Sequence, residues 1–139
     1  MTADGAEAQV EALVRRYIDA FNAGDFEAAL ACYRLPFTWF FGAKAVTVSS
    51  RDEFLSMMAK TKQALVREGL ARSELTSTTV RTIGPHIALA GLIVTRVHAG
   101  GGEMERMAAT YLVHNDGESW RLAANFMHPE AAMIPAGDL

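Results

Sequence analysis

Four long runs, at 75–83, 87–98, 104–114 and 119–128, the first two rich in β-branched residues, constrain this chain more than any other feature. The links between them are short: Gly84-Pro85, Ala99-Gly100-Gly101-Gly102 and Asn115-Asp116-Gly117. Each link consists of residues that supply turns, and links this short join only antiparallel neighbours, because a parallel crossover needs a dozen residues or more. The second half of the chain is therefore expected to be an antiparallel sheet.

The first half has helical spacing. Over 6–23 the apolar residues Val10, Leu13, Val14, Tyr17, Ile18 and Phe21 recur every three or four positions, the mark of one buried helix face. Gly24 suits the left-handed position that ends a helix, and Asp25 can cap a second helix carrying Phe26, Ala29, Leu30 and Tyr33. Leu35-Pro36 stops it. The aromatic run 37–41, a break at Gly42 and a return at 45–49 predict a short hairpin. Ser50-Arg51-Asp52-Glu53 has capping-box form, and it opens a third helix with Phe54, Met57, Met58, Thr61 and Leu65 on one face and Gly69 at its end.

These elements fit one domain spanning 1–139, with an ordered core over about 6–129 and a C-terminal tail, 130–139, expected to be a weakly ordered arm. Half of the residues are hydrophobic, enough for a packed core. A net charge of -3 argues against a nucleic-acid partner, since neutralising phosphates needs clustered Lys and Arg. Apolar runs are too short to cross a membrane, and the start lacks the pattern of a secretion signal, so the expected compartment is the cytoplasm. The lone Cys32 fits a reducing compartment and reads as a buried, inert thiol. The four histidines, His86, His98, His114 and His128, are spread over separate elements with no ligand spacing, so neither a metal nor a cofactor is expected. Gly100 to Gly102 precede a strand rather than a helix and read as a hairpin loop, not a phosphate cradle.

Both faces of the 87–98 strand are apolar along most of its length, so something apolar must cover each side. Helices can cover one. A homodimer packed through the outer sheet faces is expected to cover the other, with Ile87, Leu89 and Ile93, Met107 and Tyr111, and Trp120, Leu122 and Phe126 in the contact.

The order of elements resembles the nuclear transport factor two-like superfamily, also called cystatin-like or SnoaL-like. Residues 14–25, from Val14 through Arg16-Tyr17 and Phe21-Asn22 to Gly24-Asp25, look like its opening helix and first turn, and Trp120-Arg121-Leu122 resembles its last strand. The resemblance implies an α+β fold, a curved antiparallel sheet with three helices packed on its concave face and a pocket between them. It names no chemistry, because the scaffold serves isomerases, cyclases, hydrolases and non-catalytic subunits alike. Locally, Arg16-Tyr17 resembles ketosteroid isomerase, whose first helix carries a hydrogen-bond-donating tyrosine. The two carboxyl groups of that enzyme have no counterpart near Phe41-Gly42 or Ala109-Thr110. Loss of a general base costs two to four orders of magnitude in rate, so steroid isomerisation by that route is rejected.

The resemblance also implies an inward face. Ala90, Leu92, Val94 and Arg96 would lie on it from one strand, and Arg106, Ala108, Thr110, Leu112 and His114 from the next. The last strand would add Ala123, Asn125 and Met127. Tyr17, Trp39 and Phe41 would close the space opposite, making an apolar box with a few polar groups for a small apolar or mixed-polarity molecule. Tyr17 and His114 are the candidate catalytic groups. Arg96 and Arg106 could instead fork around an anion or lie solvated at a sheet end. Two readings stand: a small-molecule-binding domain, as a binder or as a cofactor-independent isomerase, cyclase or hydrolase, and a non-catalytic dimerisation or accessory domain.

Overall fold

The computed structural model describes residues 2–135 and 137–138. A long helix, α1 (Thr2–Ala23), leads through Gly24 (φ 71°) into a single turn and a half, α2 (Phe26–Leu30), capped by Asp25, whose carboxylate accepts from the Ala28 amide at 3.1 Å. The hairpin β1 (Tyr33–Phe41) and β2 (Lys44–Val48) follows, then α3 (Arg51–Arg67). The capping box opening α3 is complete: Ser50 Oγ accepts from Glu53 N, and the Glu53 carboxylate accepts from Ser50 N. Four long strands complete the sequence: β3 (Leu70–Ile83), β4 (Ile87–His98), β5 (Glu103–Asn115) and β6 (Trp120–His128).

The fold is α+β, with a curved, unclosed sheet and three helices. Strands β3 to β6 are consecutive antiparallel neighbours, in the order β2-β1-β6-β5-β4-β3. One pair departs from the expected pattern, for β1 joins β6 in parallel, with a register shift between Tyr33 and Thr38. Pro36 lies in that gap and has no N–H to give to a ladder.

Four expectations are corrected. The second helix ends at Leu30, and Tyr33 opens a strand with its ring 2% exposed in the core, so its aromatic bulk serves the sheet rather than a helix face. Strand β3 begins five residues before the expected Leu75, its first residues pairing with the end of β4. The faces of β5 are reversed: Leu92 pairs with Ala109 and Ala90 with Tyr111, so the odd residues of β5 share the concave face with the even residues of β4. Finally, β6 shifts register between Leu112 and Val113 of its partner, which turns Trp120 and Leu122 inward while Phe126 stays outward.

The described part of the tail runs along the sheet. After one 3-10 turn (Glu130–Ala132) it lies back over the convex face, where a Cβ on Gly91 would meet the Met133 sulfur at 2.2 Å and Ile134 Cγ1 at 3.3 Å. It ends beside the opposite sheet edge as β7 (Gly137–Asp138), parallel to Arg81 and Thr82. Ala136 and Leu139, part of the expected arm, lie outside the described residues.

Candidate functional site

The concave face is closed at one end and hollow at the other. At the closed end Val10, Leu13 and Val14 of α1 join Val113 and Leu122 of the sheet in the buried core, each at most 1% exposed. One turn further along α1 the residues change to Tyr17, Ile18 and Phe21, and these roof a cavity of about 770 Å³. Met57, Met58 and Thr61 of α3 extend the roof. Its floor is Leu92 and Val94, Ala109 and Met107, and Asn125 and Met127 from three successive strands, with Trp39 and Phe41 as a side wall.

Polar contacts hold the roof in place. The Asn22 side chain accepts from Ser73 N and donates to Ser73 O, both at 2.8 Å, pinning the end of α1 to β3. From α3, Lys62 Nζ donates to Phe21 O at 2.6 Å and Asn22 O at 2.8 Å, two carbonyls at the C-terminus of α1. Burial lowers the Lys62 pKa.

Three tyrosines meet where solid core gives way to hollow. The Tyr33 and Tyr111 hydroxyls are 3.2 Å apart, and the Tyr17 ring stands edge-on to Tyr33 at 5.1 Å and to Tyr111 at 6.3 Å. Burial raises all three pKa values, Tyr33 and Tyr111 well above the ordinary tyrosine range. For Tyr17 the rise is opposed by hydrogen bonds from Tyr33 and Tyr111 and by the nearby Arg96 charge. Burial thus disfavours the anion of all three, Tyr17 least, and Tyr17 lines the cavity.

Beside Tyr111, its cross-strand partner Asn125 is 3% exposed. Its Oδ1 is buried without a hydrogen-bond partner. Nearer the mouth, Arg96 pairs with Glu105 on the adjacent strand while its Nε is buried and unpartnered. Arg106 grips Glu130 with two nitrogens, at 2.8 and 3.1 Å.

The sequence-expected residues therefore separate. Tyr17, Trp39, Phe41, Arg96, Asn125 and Met127 line one cavity, and Arg106 reaches its rim. Arg96 and Arg106 do not form a fork, for each is engaged by its own glutamate. Thr110 and His114 stand on the convex face, opposite Gly91 and Ile87 respectively; Thr110 Oγ1 is 2.6 Å from His128 Nε2. Sequence reasoning missed Tyr33, Tyr111 and Glu105. A signal was available for two of them: Arg106, Thr110 and His114 are the polar set of β5, and ordinary alternation assigns a polar set to the outer face, leaving Glu105 and Tyr111 inside.

Among the described residues no group of three or more His, Cys, Asp or Glu side chains could hold a metal, and no helix is long and apolar enough to cross a membrane. The family model for NTF2-like protein (DUF6841) matches residues 6–130. The chain belongs to this NTF2-like family. Among curated proteins nothing matches it. Solved structures with the same fold include an NTF2-like protein with a cystatin-like fold from Novosphingobium aromaticivorans, at 20% identity and TM-score 0.70, covering 91% of this chain and 83% of that one. A cystatin-like protein of unknown function from Nostoc punctiforme has 12% identity and TM-score 0.72, over 89% and 92% of the two chains. A ketosteroid isomerase-like protein from Erwinia carotovora has 20% identity and TM-score 0.56, over 86% and 92%. At these identities the likeness carries the fold alone; the chemistry of this NTF2-like chain has to be argued from its own cavity.

Proposed function

We propose that the protein binds a small, largely apolar molecule in the hollow between α1, α3 and the sheet. The supporting observation is the cavity itself: about 770 Å³, within the range of small-molecule sites, walled mainly by aliphatic, methionine and aromatic side chains with a few polar atoms converging on it. If the domain is an enzyme, of isomerase, cyclase or hydrolase type, Tyr17 is its candidate proton donor. The two acids at the cavity, Glu105 and Glu130, are held by Arg96 and Arg106 at the rim, which speaks for binding before catalysis. Titration with N-phenyl-1-naphthylamine, a neutral apolar fluorophore, tests this: saturable binding of one dye per chain is expected, and absence of saturable binding would refute it.

A second reading, a homodimer through the convex face, is favoured by Phe40 and Phe126, which are direct neighbours across β1 and β6 and are 43% and 36% exposed. Sedimentation at micromolar concentration should then show a dimer; a monomer ends this reading.

A further inference from the structure

Two ion pairs stand at the rim of the cavity, and they differ in what it takes to open them. Arg96 and Glu105 are register partners on β4 and β5, so the sheet itself holds them together. Arg106 and Glu130 instead join β5 to the tail, outside the strand ladder. Nε and one terminal nitrogen of Arg106 donate to the two oxygens of the Glu130 carboxylate at 3.1 and 2.8 Å, the forked geometry in which a guanidinium recognises carboxylates in general. The two side chains are 39% and 44% exposed, and a pair so open to water adds little stability, so one carboxylate can replace another on Arg106 at small cost. Both residues line the cavity, as do the apolar Met107 and Met127. A molecule whose body fills the hollow therefore meets the Arg106 fork where it reaches water.

Glu130 also heads the segment that crosses the convex face. Three residues on, Met133 fills the space that a side chain at 91 would need: a Cβ on Gly91 would stand 2.2 Å from the Met133 sulfur. Gly91 is not among the glycines with positive φ, so what it supplies is room for the tail rather than a left-handed backbone.

We propose that Glu130 occupies the seat of a ligand's own carboxylate: the ligand is an apolar-bodied carboxylate that takes the Arg106 fork from Glu130 and loosens the tail from Gly91. This rests on the binding reading above and adds both a head group and a coupling to it. Glu130 and the ligand exclude each other on Arg106, so tail docking and ligand binding oppose each other by the same factor in both directions. The apparent affinity is lowered by the fraction of chains whose seat is taken.

Calorimetric titration of the full chain with 2-naphthoate and with the neutral 2-naphthalenemethanol tests this in the wild type, Glu130→Gln, Glu103→Gln and Gly91→Ile. Glu130→Gln should bind naphthoate about tenfold more tightly, the worth of a charge-assisted hydrogen bond no longer contested. Glu103 acts on Arg106 through its charge without holding the fork, and Glu103→Gln should gain less than about twofold. Gly91→Ile changes no charge and fills the place of Met133 on the opposite face of the sheet, and it should gain roughly threefold or more by undocking the tail. The alcohol should bind all four chains equally. No naphthoate gain in Glu130→Gln would overturn the proposal, as would equal gains in the two glutamine variants or no gain in a folded Gly91→Ile. If Gly91→Ile does not fold, the two glutamine variants decide alone. Alcohol binding without these naphthoate gains removes this proposal and leaves the cavity reading standing; failure of both naphthalenes and of N-phenyl-1-naphthylamine removes both.

Discussion

The closed and hollow ends of the concave face are made by the same helix and the same strands, and they differ in side-chain size and in what stands opposite. At the closed end α1 presents Val10, Leu13 and Val14 to Val113 and Leu122, and branched side chains from both layers interlock. At the hollow end the strand positions facing α1 include Ala109 and Asn125, and the helix side chains over them, Tyr17 and Phe21, pack mainly against other rings. A curved sheet widens the distance between layers along its strands, so small residues at the wide end leave space that the chain does not refill. Side chains interlock across the two layers at the closed end, and at the wide end they do not.

This contrast predicts a large difference between two truncations. Phe37 is fully buried among Tyr33, Trp39 and Tyr111, and Phe37→Ala should cost about 3–5 kcal/mol, the usual range for an emptied aromatic core site. Met127→Ala, at the cavity floor, removes a side chain that already borders open space and should cost about 1 kcal/mol or less. Urea denaturation of both variants checks this; similar losses would erase the distinction between the two ends.

The tyrosine trio at the boundary sharpens it through pH. The chain has three tyrosines, and all three are in this cluster with folded pKa values raised above the ordinary 10.0. A neutral group whose pKa is higher folded than unfolded contributes stability that is fully present below the unfolded value and is lost as pH rises through the folded one. Native protein at pH 10 should therefore show almost no phenolate absorbance, and phenolate should appear together with alkaline unfolding. One or more tyrosines titrating near 10 with the fold intact would place the cluster in contact with bulk water.

Much of the fold was readable in the residues. The caps at Asp25 and Ser50, the glycine at 24 and the turn residues linking the long strands each satisfy a local requirement that no distant contact overrides. The site was readable only in part. Tyr17, Trp39 and Asn125 follow from the α1 face and from strand parity, but β5 carries charge on both faces at one end, Glu103 and Glu105 on one and Arg106 on the other, and the pairing of Ala109 with Leu92 settles the side that this weak alternation only suggests. The register shift in β6, which turns Leu122 inward, depends on long-range pairing, as does the path of Met133 over Gly91. The rim pairs Arg96–Glu105 and Arg106–Glu130 could not be anticipated, because the first depends on β5 register and the second on where the tail goes.

The central claim, an open hollow above the floor of the sheet, is tested most directly by filling it. Ala109 lies on the floor, facing the cavity between Leu92 and Met127. Forcing a large ring into a packed core costs about 1–3 kcal/mol and sometimes more, whereas a ring entering vacant space displaces nothing. The stability of Ala109→Phe in urea should therefore stay within about 0.5 kcal/mol of the wild-type chain; a loss of about 3 kcal/mol or more would mean that the space is already occupied by packed side chains.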